Sequence, residues 1–260
     1  MQIELDTGKT ASQNAGDLFT KAKKLEDKVK KAEAAMKGLL DRIEQLKKKK
    51  DEAPKDQVLK ERKPKGKWYE SFRWFFSSSG KLIVGGRDAT TNDILMKKHI
   101  EKDEWVFHAD IVGAPFVAIK AKPETVTKED LKEAAEAAGI FSRGWKLGYG
   151  SLSIYYAPRE RFTKQAPSGE YVKKGAFMVY GKKEWQTIEM RAAVGIKDGK
   201  VTGGPISAIT SWADTAVSIE PGHLKPGEIT KKIVRTLKAP ADDIQKALPA
   251  GKSQVIKQKK

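Results

Sequence analysis

The longest regular pattern of apolar positions lies near the start of the chain. Between Leu18 and Leu46, apolar residues recur alternately every four and three positions, and the positions between them are rich in lysine and glutamate. The stripe consists of Leu18, Ala22, Leu25, Val29, Ala32, Met36, Leu39, Ile43 and Leu46. Such a heptad stripe predicts one long helix, about 43 Å at 1.5 Å per residue, whose apolar seam needs a partner. The partner is a second copy, another protein, a return of the chain through residues 57–60, or simply the chain's own domain.

Short apolar runs separated by turn residues follow from Lys67. Residues 72–76 and 81–85 predict a hairpin, because Ser77–Gly80 is turn-forming. Gly85 and Gly86 allow a tight turn, and Thr90, Thr91 and Asn92 are candidate caps for a helix at 91–100. Strands are predicted at 105–109 and 115–120, and the capping pair Thr127 and Asp130 predicts a helix at 128–138 that ends at Gly139.

The remaining pattern is mixed. Further strands are predicted at 151–157, 176–180, 186–194 and 215–220, with a turn at 167–169 and a helix at 228–237. Strands and helices do not alternate regularly, so the predicted class is α+β, with a mostly antiparallel sheet, flanking helices and the long helical arm in front. The predicted domains are an arm and basic linker at 1–66, with Pro54 and Pro64 in the linker, a central folded domain at 67–190, an extension of the same globular unit at 191–250, and a disordered basic tail at 251–260.

Composition excludes several classes of function. The 260 residues contain no cysteine and three histidines, which rules out disulfides and thiol chemistry and argues against a zinc site. No apolar run approaches transmembrane length, and the N-terminus shows no signal-peptide pattern, so we expect a soluble, cytoplasmic protein that needs no cofactor and no membrane.

The charge points to a polyanionic partner. Lysine and arginine number 51 against 34 acids, a net charge of +17. Residues 1–67 carry 19 basic and 12 acidic groups (+7), residues 68–190 carry 19 and 16 (+3), and residues 191–260 carry 13 and 6 (+7). An excess of this size is typical of nucleic-acid binding, although it also serves as a solubilising surface.

Two groups of residues in the centre are candidates for chemistry. Arg87 and Asp88 follow the paired glycines, where free backbone N–H groups and an arginine held by its aspartate could grip a phosphate, unless the two form a plain internal pair. His108 and Asp110 lie two residues apart, on one face if their strand continues. With Asp88 they form the alternative hypothesis of an acid–base or metal-dependent enzyme, whereas a structural or RNA-contacting imidazole is the favoured interpretation.

A wider set of basic and aromatic residues could line one phosphate-binding surface. Lysines at strand ends often only solvate a rim, and the aromatic cluster at 68–76 is more typical of a core than of a base-stacking platform. Trp145 lies between glycines beside Arg143 and is a candidate for stacking, although a core position is equally compatible. The predicted RNA-binding residues are Arg87, Asp88, Asn92, His108, Asp110, Lys120, Arg143, Trp145, Arg159, Arg161, Lys164, Lys182 and Lys183, with Lys173 and Lys174 in the same lysine cluster.

Several of these segments resemble a known family. WYESFRWFFSSSGKLIVGGRDATTNDILMKKHI, WVFHADIVGAPFVAIK, AAEAAGIFSRGWKLGYG and APSGEYVKKGAFMVYGKKEW occur here in the order found in the NFACT-R (DUF814) domain, and LDTGKTASQNAGDLFTKAKKLEDK resembles the family's coiled-coil arm. The region after residue 190 is similar to the C-terminal extension of archaeal-type members.

The resemblance implies a non-catalytic RNA-binding module of ribosome-associated quality control. It implies tRNA and the rRNA of the large ribosomal subunit as partners, with the coiled coil reaching other quality-control factors. Members of full length carry an NFACT-N domain ahead of the coil, whereas this sequence starts where the coil should start. Either the protein is a split or truncated member, with a separate NFACT-N chain as a further partner, or the sequence is a piece of a longer protein. The peptide-tailing activity depends on residues of that domain and is not carried over. The remaining alternative is a coiled-coil adaptor for proteins or DNA.

Overall fold

A computed structural model of the protein describes residues 5–51, 67–165 and 171–256, and the chain divides into two compact units, Met1–Pro64 and Lys65–Lys260. In the first unit, Ala11–Asp51 form a single helix, α1. Thr10 and Gln13 begin it with reciprocal hydrogen bonds between side chain and backbone. The predicted helix is thus confirmed and is longer at both ends, while the prolines of the predicted linker and residues 57–60 lie outside the described residues. Within the described residues, none of the helices is both long and apolar enough to cross a membrane.

The second unit begins with a 3₁₀ turn at Trp68–Ser71 and alternates strands with short helices. Its strands are β1 (Arg73–Phe76), β2 (Leu82–Gly85), β3 (Trp105–Ala109), β4 (Val117–Lys120), β5 (Ser151–Pro158), β6 (Phe162–Thr163), β7 (Met178–Val179), β8 (Glu184–Glu189), β9 (Ala192–Lys197), β10 (Lys200–Gly204), β11 (Thr215–Leu224) and β12 (Ser253–Val255). Its helices are α2 (Ala89–Ile94), continued by one π-turn at Leu95–His99, then α3 (Lys128–Ile140), α4 (Arg143–Leu147), α5 (Ile206–Trp212), α6 (Pro226–Leu237) and α7 (Ala241–Ala247).

The main sheet has six strands in the order β1-β2-β4-β3-β5-β8, and every described pairing in it is antiparallel. Helix α3 packs on one face, where alanines such as Ala134 and Ala138 join Phe107 and Ile154 in one core. Small residues let this helix approach closely: a Cβ on Gly139 would come within 2.6 Å of Ile188. The opposite face near β2 and β4 is covered by the turn at Leu95–His99.

A second sheet, in the order β10-β9-β11-β12, carries α5, α6 and α7. Its apolar residues, including Val194, Ile209 and Ile233, belong to the same core cluster as Phe107 and the residues of α3. The segment after residue 190 therefore shares the hydrophobic core of the segment before it. The α+β class with a mostly antiparallel sheet is confirmed.

Several local predictions were wrong. Helix α3 passes through Gly139, because that glycine serves close packing rather than a stop. The strand predicted at 186–194 is two strands, β8 and β9, which belong to different sheets. The tail predicted to be disordered contains β12, which pairs with β11, and the buried Ser253 anchors it; residues 257–260 lie outside the described part, as does the turn predicted at 167–169.

Candidate nucleic-acid interface

The turn between β2 and α2 is built by hydrogen bonds within the chain. The N–H of Gly86 donates to the carbonyl oxygen of Phe116 at 3.0 Å, and the N–H groups of Arg87 and Asp88 both donate to Thr91 Oγ1 at 2.8 Å. Asp88 is the N-cap residue and accepts from the Thr91 N–H, which lowers the pKa of its carboxyl group. The expected anion grip by free backbone N–H groups is therefore wrong here, because helix capping uses these donors. The N-cap residue is Asp88, and of the candidates predicted at 90–92 Thr91 completes the capping box from the third helical position.

Arg87 is fixed by the backbone rather than by Asp88. Its Nη2 donates to the carbonyl oxygen of Phe72 at 2.9 Å, and burial of the guanidinium lowers its pKa. Burial, with the charge of Arg87 as a second cause, lowers the pKa of Arg73 to about 10. Arg73 also lies over the ring of Phe141 at 4.0 Å. The guanidinium groups of Arg73 and Arg87 therefore lie close enough to influence each other next to this turn. Part of Arg87 is still exposed to solvent.

His108 is a partly buried imidazole between two rings. Its Nδ1 lies 3.3 Å from the hydroxyl of Tyr155, and its ring centroid lies 4.6 Å from that of Phe116. Burial lowers the pKa of His108 to about 4, so the ring is neutral at pH 7. Burial also raises the pKa of Tyr155 to about 12, with the charge of Asp110 as a second cause. Asp110 extends the pairing of β3 beyond its last residue, since its N–H donates to the carbonyl oxygen of Ser153 at 2.9 Å.

A cavity of about 720 Å³ brings these groups together. It is bounded by the turn before α2, the loop at 110–115 and the segment at 173–176. The predicted site residues that line it are Arg87, Asp88, Asn92, His108 and Asp110; Tyr155, Phe141, Lys173 and Lys174 line it as well. Both lysines are exposed. The cavity therefore combines aromatic and polar walls with a basic rim.

Some predicted site residues hold the fold together instead. Asn92 is buried, and its Oδ1 accepts from the Phe116 N–H. Lys120 forms an ion pair of 2.7 Å with the buried Glu104. Arg159 donates to the carbonyl oxygens of Met96 and Phe162. Their polar groups are occupied by neighbours in the chain, which leaves them poorly suited to hold RNA.

Trp145 is a core residue, so the stacking role considered for it was wrong. Only 1% of its surface is exposed, and its Nε1 donates to the hydroxyl of Ser253 at 3.1 Å. Trp145 belongs to helix α4, which the sequence analysis did not predict, and this helix directs the indole into the core. Arg143 in the same helix is exposed and lies beside Gly113 at the cavity wall.

The remaining predicted cations lie around the β6–β7 hairpin and the start of β8. Arg161 Nη1 donates to the carbonyl oxygen of Lys182, and Lys164 pairs with Asp93 at 2.8 Å. Lys182 is exposed and pairs with Glu184 at 2.9 Å, and Lys183 lies 4.9 Å from the ring centroid of Tyr155. Lys182 is therefore the exposed member of this group, whereas Arg161, Lys164 and Lys183 are half-buried.

Sequence reasoning missed Trp185 and Tyr155. Trp185 is 55% exposed on β8, the edge strand, and its ring centroid lies 5.5 Å from that of Tyr155. The available signal was weak: in Glu184–Glu189 the tryptophan alternates with Thr187 and Glu189, whereas Ile188 is the one apolar residue on the opposite face, which also carries Glu184 and Gln186. Within the described ranges, no group of three or more His, Asp or Glu side chains could hold a metal ion.

The fold and this site define an α+β protein whose main sheet carries a cavity with aromatic and polar walls and a basic rim. Residues 71–181 match the family described as the NFACT protein RNA binding domain. The chain belongs to the NFACT family.

Three relatives illustrate the family. The archaeal Rqc2 homolog aRqcH of Methanocaldococcus jannaschii is 36% identical over 211 residues, which is 78% of this chain and 31% of that protein. The ribosome quality control complex subunit NEMF homolog of Drosophila melanogaster is 36% identical over 45% of this chain and 12% of its own length. Ribosome quality control complex subunit 2 of Schizosaccharomyces pombe is 30% identical over 70% of this chain and 18% of its own length. The chain thus spans less than a third of each of these relatives.

Proposed function

We propose that this chain is a non-catalytic RNA-binding module that binds tRNA and the rRNA of the large ribosomal subunit during ribosome-associated quality control. A role in ribosome quality control is supported by two relatives that are named as subunits of the ribosome quality control complex. In this proposal residues 67–190 are the RNA-binding part, residues 191–250 extend it, and the protein acts in the cytoplasm.

One observation carries the proposal. Every described residue that lines the cavity lies between Gly86 and Ala176, inside the segment that matches the RNA-binding family. The volume of about 720 Å³ lies within the range of roughly 300–1,000 Å³ that is usual for small-ligand sites. A nucleotide with its phosphate at the rim is a ligand of suitable size and charge.

The charges favour an RNA backbone at the rim. Lys173 and Lys174 are exposed, and the Phe72 carbonyl holds the Arg87 guanidinium in place, so a bound phosphate would meet cations whose positions are partly fixed. Asp88 and Asp110 oppose this attraction at the same cavity. We therefore place phosphates at the lysine side and ribose or base groups, which can donate hydrogen bonds, at the carboxylates.

Helix α1 supports a role in recruiting other factors. Its apolar stripe is exposed in the described residues, from 40% for Leu18 to 63% for Leu39. A separate NFACT-N chain or another quality-control factor with a complementary helix would cover it. Removing residues 1–51 should then abolish co-sedimentation with such a factor and leave tRNA binding by the remaining chain, residues 52–260, in place.

The RNA proposal is tested by tRNA binding at several salt concentrations. We expect affinity to fall steeply with salt, and the double substitution Lys173→Ala and Lys174→Ala to weaken binding and lower the salt slope by about 0.9 for each lost duplex phosphate contact. Fluorescence anisotropy with labelled tRNA measures both quantities.

The matched control is the double substitution Lys128→Ala and Lys132→Ala. It removes the same charge from exposed positions on α3, the helix that covers the other face of the sheet. Equal losses in the two double variants would show that only net charge matters, which contradicts a site at the cavity. Affinity for tRNA that does not respond to salt would contradict the proposal as a whole.

A further inference from the structure

The face of the main sheet opposite α3 is exposed at strands β5 and β8. Ser151 and Ser153 of β5 and Trp185, Thr187 and Glu189 of β8 are all exposed, whereas the alternate residues Ile154 and Ile188 lie in the core against α3. A strand pair that buries one face and exposes the other would normally place charged or small polar groups outside. The large ring of Trp185, 55% exposed, departs from that pattern.

Trp185 ends a row of rings that leads into the cavity. The pairing register places Trp185 opposite Tyr155 and Tyr155 opposite His108, so the three side chains lie side by side on the same face. Trp185 meets Tyr155 edge-on at 5.5 Å, and Tyr155 reaches His108 through its hydroxyl at 3.3 Å. Tyr155 and His108 also line the cavity. The row is thus continuous from the open edge strand to the cavity wall.

The polar groups around this row suit an RNA strand. Lys183 lies over the ring of Tyr155 at 4.9 Å, which holds a positive charge next to the row. Lys182 is exposed at the start of the same strand, although Glu184 pairs with it. Strand alternation also places the carboxylates of Asp110 and Glu189 on this face, together with the hydroxyls of Ser153 and Thr187, which are register partners.

We propose that Trp185 is a stacking platform for an unpaired base, and that a single-stranded RNA segment crosses the β5–β8 face beside Lys183 with an adjacent nucleotide in the cavity. This inference rests on the proposed RNA binding and specifies which RNA is bound, namely single strands or loops rather than duplex. Bases within an A-form helix are stacked on each other and present no free face to an indole, whereas unpaired bases do. Cross-strand rings on an open sheet, flanked by a cation, are an arrangement that binds such bases.

The test compares a short single-stranded RNA with a duplex of the same sequence. The substitution Trp185→Ala should weaken single-strand binding by roughly 5- to 150-fold, since one stacked base contributes about that factor. Duplex binding should change little. Trp185→Phe, which keeps an aromatic ring, should restore most of the affinity, whereas Trp185→Leu, which keeps apolar bulk alone, should not.

Stacking itself is read out with 2-aminopurine placed in the single strand. Its fluorescence should be quenched when the wild-type chain binds, and less so with Trp185→Leu. Because the indole is exposed on an edge strand, all three variants should unfold at the wild-type denaturant concentration, which circular dichroism checks.

The outcomes separate this inference from the proposed function. If the wild type binds neither RNA, the proposed function fails, whatever Trp185 does. If the wild type binds RNA but Trp185→Ala binds the single strand as tightly as the wild type, the platform is overturned and the proposed function stands. If Leu restores binding as well as Phe, apolar contact rather than stacking is responsible, and the inference is equally overturned.

Discussion

Burial sets the protonation state of His108, and with it the character of the cavity wall. A neutral imidazole beside Tyr155 and Phe116 can accept or donate a hydrogen bond and can contact a base, but at pH 7 it adds no charge to attract phosphate. The positive charge at the cavity therefore comes from Arg87, Lys173 and Lys174. His108 therefore contributes shape and hydrogen bonding, but no charge, to the binding of a ligand in the cavity.

The depressed pKa of His108 predicts a loss of stability in acid. The folded pKa is about 4 against 6.5 for an unperturbed histidine, so the unfolded chain binds a proton that the folded chain does not. Its contribution to the free energy of unfolding is complete above pH 6.5 and is lost as the pH falls toward 4, by about 3 kcal/mol in total. Urea unfolding measured across this range should show the loss.

The titration of Glu136 changes the free energy of unfolding in the opposite direction, so its contribution must be separated from that of His108. Burial raises the pKa of Glu136 to about 6, so the folded chain gains protons relative to the unfolded chain as the pH falls from 6 toward 4.5. The difference between the wild type and His108→Phe isolates the histidine, because both contain Glu136. A flat difference curve, or an NMR titration of the His108 ring near pH 6.5, would contradict the assignment.

At the scale of elements, α3 supports the main sheet and also holds the β1–β2 turn and helix α5 in place. Its buried carboxylates hold neighbouring segments: Glu133 accepts from the Ser78 N–H at 2.9 Å and from the Ser207 hydroxyl at 2.6 Å, and Asp130 accepts from the Ser79 hydroxyl at 2.6 Å. One glutamate thus joins the β1–β2 turn to helix α5. The main sheet and the second sheet are connected through it as well as through the shared core.

Replacing Glu133 should therefore destabilise the whole second unit. Glu133→Ala removes the acceptor of two hydrogen bonds whose donors, Ser78 and Ser207, are exposed residues that water can reach. We expect it to lower the free energy of unfolding by roughly 1–3 kcal/mol, at about 0.5–1.5 kcal/mol for each hydrogen bond. Glu133→Gln keeps an acceptor oxygen and should cost less. Lys132→Ala, at an exposed neighbouring position, is the control. Unfolding midpoints in urea that are equal for Glu133→Ala and the control would show that the carboxylate holds nothing in place.

Short sequence patterns correctly predicted the elements that are stabilised by residues close to each other in the chain. The hairpin of β1 and β2 and the capping box of Thr127 and Asp130 are written in neighbouring residues, and both were predicted correctly. The inward turn of Trp145 depends on Ser253, which lies 108 positions away, and the pairing of β12 depends on β11. No pattern within a short window carries such distant contacts. The cavity shows the same division: His108 and Asp110 were found from their spacing, while Tyr155 and Trp185 join them only through strand register.

Across the whole molecule, much of the positive charge lies outside the cavity. Residues 191–260 carry a net charge of +7, and helix α6 displays part of it on one side. Its apolar residues Ile229 and Ile233 face the core, while Lys231, Lys232 and Arg235 are exposed. This helix belongs to the same compact unit as the cavity. A long RNA that occupies the cavity could therefore contact a second basic surface, with no base readout there.

Removing the three cations of α6 should weaken RNA binding without changing which RNA is preferred. In the variant with Lys231, Lys232 and Arg235 replaced by alanine, affinity for tRNA, duplex and single strand should fall by similar factors. The salt slope should shrink by up to about 0.9 for each lost duplex contact and 0.7 for each single-strand contact. The control replaces Lys122, Lys128 and Lys132, three exposed lysines on or before α3, so both variants carry +14 instead of +17 (17 minus 3). Equal salt slopes in the two variants would assign the effect to net charge, whereas a loss confined to single strands would place α6 within the base-reading surface.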